Sequence, residues 1–153
     1  MNGSNPQSTA RFMGHPIHPM LVPFPIAFFI GAFLSDLAYL AWRDAFWATA
    51  SFWLLAAGLV GAALAAVAGL TDFLGDNRIR RLPDAWMHMI GNVLAVLLEA
   101  VNLYVRLDDS AVAVASPGVY LSGAVFLLLG FTGWKGGDLV YRHRVGIPDG
   151  PAD

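Results

Sequence analysis

The chain has 153 residues, of which 57% are hydrophobic and 13% are charged, and its mean hydropathy is +0.58. Soluble domains carry about 25% charged residues, so this composition predicts a protein that resides in lipid. The net charge of −2, without any basic block, argues against a nucleic-acid partner. The absence of cysteine excludes disulfides, thiolate metal sites, covalent haem attachment and iron–sulfur ligation.

The chain begins with a polar stretch, 1–13, for which we expect a flexible N-terminal tail. Four apolar runs follow, and about 20 helical residues cross a bilayer. The predicted spans are about 20–42, 46–70, 85–107 and 119–134. Because the connections are short, we expect 14–146 to form one all-α domain, an integral membrane four-helix bundle with up-down-up-down order. The end, 147–153, is predicted to be a flexible C-terminal tail.

Positive charges predict the orientation of this bundle. Arginine and lysine concentrate on the side that holds the N-terminal tail, the second loop and the C-terminal tail. That side has seven of them and the opposite side has two: Arg11, Arg78, Arg80, Arg81, Lys135, Arg142 and Arg144 against Arg43 and Arg106. Cytoplasmic loops of membrane proteins carry the excess of positive charge, so we expect both termini in the cytoplasm and the protein in a bacterial inner membrane.

Two of the four histidines lie in the stretch from Gly14 to Met20, where His15 and His18 each precede a proline. A following proline disfavours the α conformation, so we expect an extended path here rather than the start of a helix. In a polyproline path, with three residues per turn at about 3.1 Å each, the two imidazoles would face the same way roughly 9 Å apart. They could equally make a stiff, hydrogen-bonded entry loop.

Polar residues follow one face of the third span, at 4-3-4-3-4 spacing: His88, Asn92, Ala95, Glu99, Asn102 and Arg106. Unpaired polar groups are costly in hydrocarbon, so this face should point into the bundle. We predict a polar network that joins groups of several helices: Asp36, Asp72, Asn92, Glu99, Asn102 and Asp138. The network could hold the helices in register, or it could form a proton path or a polar pocket.

Small residues indicate close helix contacts in two places, at Gly61, Ala65 and Gly69 and again at Gly133 and Gly137. A weak internal repeat also relates two halves of the chain. His18 begins a helix pair that ends at Asp72, and His88 begins one that ends at Asp138. If a pseudo-twofold axis relates the halves, His18 and His88 face each other across it, as a bis-histidine haem b requires.

Methionines accompany the histidines, since every methionine except the first lies within two residues of one: Met13, Met20, Met87 and Met89. Soft Cu(I) or a haem axial pair would use such a set, although methionine is also an ordinary core residue. The candidate cofactor ligands are therefore His15, His18 and His88. A metal ion such as copper would use these three with Met20.

Several of these motifs resemble one family of predicted four-helix bacterial membrane proteins, domain of unknown function 2231. They are Gly14-His15-Pro16-Ile17-His18-Pro19 with the following Leu21 to Ala27, Gly69-x-x-Asp72, His88 with Asn92, and Gly136 to Arg142. The resemblance covers about 14–146 and implies a bacterial multi-pass membrane protein. Some relatives carry Rieske or cytochrome-type domains, which implies a redox setting and, for this chain, a separate redox partner.

Three functions remain open from the sequence. The first is a small membrane module that binds haem b through His88 and either His18 or His15 and transfers electrons. The second is a protein that binds, transports or senses a metal ion such as copper. The third is a structural subunit of a larger membrane complex. A hydrolase is not expected, because the sequence has no evident set of nucleophile, histidine and carboxylate.

Overall fold

Long apolar helices dominate residues 5–150, the part of the chain that this computed structural model describes. Within that range, four helical segments are long and apolar enough to cross a membrane: Ile17–Trp42, Ala45–Gly75, Pro83–Val105 and Ser110–Arg142. The elements in order are β1 (Arg11–Phe12), β2 (His15–Pro16), α1 (Ile17–Leu21), α2 (Pro23–Trp42), α3 (Ala45–Gly75), α4 (Asn77–Arg80), α5 (Pro83–Val105), α6 (Ser110–Ala113) and α7 (Val119–Gly137). A kinked segment, Val114–Gly118, precedes α7, and a π-helical turn, Asp138–Arg142, follows it.

The path predicted for the His-Pro motif is wrong in one respect, because a helix begins inside it. β1 and β2 pair as a short antiparallel hairpin, and α1 starts at Ile17, directly after Pro16. Pro16 keeps the extended conformation as the N-cap residue. Pro19 falls in the first turn, where a missing N–H breaks no helical hydrogen bond. His18 is therefore helical, whereas His15 stays on the hairpin.

Neighbouring spans pack closely where small residues allow it. The turn between α2 and α3 is tight, since Arg43 adopts the left-handed conformation and Asp44 caps α3 by accepting from the N–H of Phe46 at 2.9 Å. A core cluster then forms along these two helices from Phe29, Ala32, Leu55 and Ala62. Large apolar side chains on the outer faces remain exposed, as a helix bundle in lipid requires.

The two small-residue patterns differ in outcome. A Cβ at Gly61 would lie 3.3 Å from Pro25, and one at Gly69 would meet the His18 ring, so the pattern on α3 marks a close contact. Gly133 and Gly137 have no atom within 4 Å of the corresponding position among the described residues. The second pattern therefore makes no close contact in this part of the chain.

The fourth span is longer than the 119–134 predicted from hydropathy. Its helical segment extends from Ser110 to Arg142 and is interrupted at Ser116, whose backbone is extended. The Ser116–Pro117 peptide bond is cis. The helical segment is longer than the predicted span because helical turns continue on both sides of Pro117 and Gly118, which indicated a loop in the sequence.

The N-terminal segment 5–10, part of the predicted tail, is tied to the end of α3. Asp72 Oδ1 accepts hydrogen bonds from the Ser8 hydroxyl at 2.9 Å and from the N–H groups of Thr9 and Ala10 at 2.7 Å each. Asp76 Oδ2 accepts from the Gln7 N–H at 3.0 Å. Residues 1–4 and 151–153 of the two predicted tails lie outside the described residues.

Asp76 also makes the pH dependence of this attachment predictable. A hydrogen bond from the Arg78 guanidinium keeps the pKa of Asp76 far below the ordinary value of an aspartate. Because the pKa of Asp76 is lower in the folded protein than in the unfolded chain, its charge stabilises the folded state above the unfolded-chain pKa, which is near 4. This stabilisation decreases as the pH falls below that value. Acidification below about pH 4 therefore weakens the attachment.

Replacing Asp72 with alanine tests the attachment. We expect Asp72→Ala to free residues 5–10, because three donors lose their common acceptor, and to cost about 1–3 kcal/mol. Trypsin should then cleave after the exposed Arg11 at least severalfold faster in detergent. Asp108→Ala, which removes the same charge from an exposed site, is the control. Equal cleavage rates in the two variants would contradict the attachment.

Candidate functional site

His18 lies at the start of the first span and packs against the end of α3. Its Nδ1 lies 2.8 Å from the backbone oxygen of Ala65. Gly69, one turn further along α3, makes room for the ring, since a Cβ there would lie 2.8 Å from Nδ1. The side chain is half-buried and held at two points of the same helix face.

His88 is placed on α5 by equivalent contacts with α7. Its Nδ1 lies 2.8 Å from the backbone oxygen of Thr132. Gly136, again four residues further on, leaves space for the ring, because a Cβ there would lie 3.0 Å from Cε1 of His88. The centres of the His18 and His88 rings are 6.1 Å apart, with the ring planes at 85°.

The contacts of His18 and His88 match the weak internal repeat seen in the sequence. In each half, a histidine near the start of one span bonds to a carbonyl of the following span, four residues before a glycine. In each half, a charged residue also follows the histidine by 18 positions, Asp36 in the first and Arg106 in the second. At about 1.5 Å per helical residue, that separation is roughly 27 Å.

The hydrogen bonds define the tautomer of both imidazoles. A carbonyl oxygen can only accept, so Nδ1 of His18 and Nδ1 of His88 each carry a proton and donate it. In the neutral imidazole the Nε2 atom then keeps its lone pair. No described residue makes a hydrogen bond to either Nε2 atom. Metal-ligating histidines are held in this way, with the second ring nitrogen donating to a carbonyl or a carboxylate.

The other candidate ligands lie apart from this pair. His15 is exposed, and its Nδ1 donates to the Met13 carbonyl at 3.0 Å. His15 and Met20 line an open groove of about 580 Å³ together with residues near the C-terminal end of the described range. Met89 packs against the cluster of Phe73, Ile79 and Ala85, while Met13 and Met87 are exposed. The structure thus brings His18 to His88 and leaves His15 and the methionines outside.

The opposite ends of the four spans meet at a buried ion pair between Asp36 and Arg106. Both side chains are 0% exposed, and the two guanidinium NH₂ groups bond to the two carboxylate oxygens at 2.8 Å each. The hydroxyls of Ser51 and Ser122 donate to the same carboxylate at 2.6 and 2.7 Å. Arg106 Nε also donates to the Asn102 oxygen at 3.0 Å. The two NH₂ groups also donate to the hydroxyls of Ser51 and Ser122, so each N–H of Arg106 has a partner.

All four spans contribute to this polar cluster, which we define as Asp36, Ser51, Glu99, Asn102, Arg106 and Ser122. Gly118 leaves room for the Arg106 side chain, since a Cβ at this position would lie 2.9 Å from an NH₂ group of Arg106. The sequence identified the α5 members by their helical spacing. It also counted Arg106 among the positive charges of one membrane side and did not pair it with Asp36. Ser51 and Ser122 were missed, because serines in apolar spans give no periodic signal.

Glu99 extends the cluster toward the middle of α5. It is 0% exposed, and its Oε2 accepts from the Asn102 amide at 2.8 Å. Its other oxygen, Oε1, is the one buried side-chain nitrogen or oxygen atom among the described residues that has no hydrogen-bond partner. Only one of the two carboxyl oxygens of Glu99 therefore has a hydrogen-bond partner.

The remaining members of the predicted network lie elsewhere. Asn92 donates to the His88 carbonyl at 2.7 Å and belongs with the histidine pair. Asp72 holds the N-terminal segment. Asp138 pairs with Lys135 at 3.3 Å, and Lys135 also pairs with Asp84. The single network predicted from sequence is therefore divided between the two ends of the bundle.

Comparison with known proteins assigns most of the chain to a family. The model of a family described as predicted membrane protein, DUF2231, matches residues 14–149. Neither the curated proteins nor the solved structures contain a match to this chain.

Gly69 tests whether the position of the His18 ring depends on a missing side chain. We expect Gly69→Ala to push the ring from the Ala65 carbonyl and to cost about 1–3 kcal/mol, as overpacking does. Gly133→Ala is the matched control, since its Cβ meets nothing within 4 Å and alanine favours a helix. Thermal unfolding in detergent compares them. A Gly69→Ala protein as stable as the control would contradict the close contact.

Proposed function

We propose, from the premise that the chain belongs to the DUF2231 family of predicted membrane proteins, that it is a multi-pass membrane protein which binds haem b between His18 and His88 and transfers single electrons. The observation that carries this proposal is the paired geometry of the two imidazoles. They come from two different spans, and the two halves of the chain hold them by equivalent contacts.

The separation of the rings supports shared ligation. An imidazole nitrogen lies about 2 Å from a metal it binds, so two rings on opposite sides of one ion have centres roughly 6 Å apart. The observed 6.1 Å agrees with this value. A direct edge-to-face contact of two rings has a similar separation, but the unused Nε2 lone pairs favour ligation.

In this proposal, backbone carbonyls orient the two histidines that would bind the haem. Nδ1–H donation to the carbonyls of Ala65 and Thr132 holds each ring and makes Nε2 the ligating atom. Bound haem would supply one-electron redox chemistry. Such chemistry would require an electron donor and an electron acceptor, so the proposal includes a separate redox partner protein or a larger membrane complex.

A metal-ion function is the second candidate, and the groove shared by His15 and Met20 favours it. Copper would find one nitrogen and one sulfur ligand there. The described residues contain no group of three or more His, Cys, Asp or Glu side chains that could hold a metal ion. The histidine pair therefore supports the haem proposal better than the groove supports the metal proposal.

Three alanine variants separate these functions. We expect the purified protein to show a Soret band with sharp α and β bands on reduction. His18→Ala and His88→Ala should each lose at least tenfold of the bound haem, because each removes one of the two imidazoles that would hold it. His15→Ala should keep its haem, because this ring lies apart from the pair, and it serves as the control.

Other outcomes of that experiment contradict the proposal. A colourless wild-type protein that retains copper, with binding weakened by His15→Ala and Met20→Ala, would favour the metal function. If the wild-type protein binds neither haem nor copper when it is produced with both supplied, the remaining function is a structural subunit of a larger complex. Haem retained by the His18→Ala, His88→Ala double variant would place the ligands elsewhere.

We infer the orientation in the membrane from the ends of the bundle. The N-terminal segment, the α3–α5 connection and the C-terminal segment meet at one end, through bonds such as Gln7 to Asp76 and Asn5 to Asp149. These segments carry the seven positive residues. Arg106 is buried, which leaves Arg43 alone on the other side. The positive-inside rule then favours up-down-up-down spans with both termini in the cytoplasm of a bacterial cell.

Cysteine labelling tests this orientation cleanly, because the chain has no native cysteine. Asn77 lies in the α3–α5 connection and Asp108 follows α5, and both residues are exposed. In intact cells, an impermeant thiol reagent should label Asp108→Cys and leave Asn77→Cys unlabelled. Both should react after the membrane is permeabilised. Labelling of Asn77→Cys alone in intact cells would reverse the orientation.

A further inference from the structure

We propose that Glu99 is a proton-binding site inside the bundle, occupied by one proton at neutral pH because the polar cluster contains one cation and two carboxyl groups. The ligand is the proton itself, and its place is Oε1, the oxygen without a partner. This function is separate from the histidine pair and does not require a bound cofactor.

The argument begins with the charges that the cluster already balances. Arginine stays protonated in proteins, and Arg106 bonds to both oxygens of Asp36. Two serine hydroxyls donate to the same carboxylate. Asp36 and Arg106 thus form a closed ion pair that carries no net charge.

Glu99 is left without a counter-ion of its own. Its side chain is fully buried, and its one hydrogen-bond donor is the neutral amide of Asn102. A second buried carboxylate would give the cluster a net negative charge within the membrane-spanning helices, where uncompensated charge is expensive. Binding a proton removes that charge, and no other neutralising group is present among the described residues of the cluster.

The neighbouring helices bring few titratable groups to this site. α2 contributes Asp36, and Arg106 at the end of α5 is the cation. α3 and α7 contribute the hydroxyls of Ser51 and Ser122, which do not titrate near neutral pH. The protonation of Glu99 should therefore depend on Asp36 and Arg106 and not on His88, which lies roughly 17 Å away by the helix rise of α5.

The chain offers an unusually direct measurement, because Glu99 is its single glutamate. Cell-free synthesis with glutamate that carries ¹³C at the side-chain carboxyl labels this one site in the complete protein. Infrared spectroscopy in detergent at neutral pH should then place the isotope-shifted band at the frequency of a protonated carboxyl. A band at the carboxylate frequency would overturn the proposal. Protonation seen only in sodium-free buffer would identify a bound cation instead and would also overturn it.

Asp36→Asn tests the charge count itself. This variant leaves one cation and one carboxyl group, so the labelled Glu99 should lose its proton and pair electrostatically with Arg106. A label that remains protonated in Asp36→Asn would show that burial alone holds the proton, which contradicts the charge argument.

Stability gives a second measurement that does not depend on spectra. Glu99→Gln alone should melt within a few degrees of the wild type, because a neutral amide replaces a neutral acid. In the Asp36→Asn background the same change should lower the melting temperature strongly, since Arg106 then has no anion. If Asp36→Asn does not fold, the wild-type label still decides the proposal. Additive effects of the two changes would overturn it.

Discussion

The ion pair between Asp36 and Arg106 is the interaction on which the packing of the four spans depends. It joins α2 to the end of α5, and serines of α3 and α7 complete its hydrogen bonds. Removing one partner of a buried ion pair costs about 3–5 kcal/mol, because the other charge is left without compensation. Any shift of one helix along or around its axis would incur part of this cost. The pair therefore defines the register of the bundle, which apolar contacts alone specify poorly in lipid.

The same constraint explains why two polar sites can coexist in so small a bundle. The histidine pair and the ion pair lie near opposite ends of the spans, separated by 18 residues along α5. Each site uses equivalent positions of the two halves, with His18 matching His88 and Asp36 matching Arg106. The histidine positions are chemically identical, and each ring is held by a backbone carbonyl of the following span. The charged positions are opposite, which suits direct pairing.

Small residues determine where side chains can enter. Gly69 and Gly136 admit the imidazole rings, and Gly118 admits the guanidinium of Arg106. The interruption at Ser116 places Gly118 at the start of α7, opposite the end of α5. Around these points the helices are apolar outside and closely packed inside. The bundle thus positions polar groups by leaving space at a few glycines, while its bulk follows from apolar burial.

The sequence by itself determined the features that depend on local composition and period. Runs of apolar residues predicted four helices able to cross a membrane, and the spacing on α5 predicted the buried face that contains Glu99 and Asn102. The opening motif predicted the family, which the match over 14–149 confirms. These features need no knowledge of which helix lies beside which, because each is a property of one segment.

Only the tertiary structure decided which polar groups meet. Helical period places a residue on a face, but the height and rotation of neighbouring helices decide its partner. Ser51 and Ser122 were therefore missed, and Arg106, although placed on the polar face, was not paired with Asp36. His15 and His18, three residues apart, diverge because a helix starts between them at Ile17. Asp72 holds residues 8–10 across more than 60 positions of sequence. Such contacts join distant segments, and no local pattern specifies them.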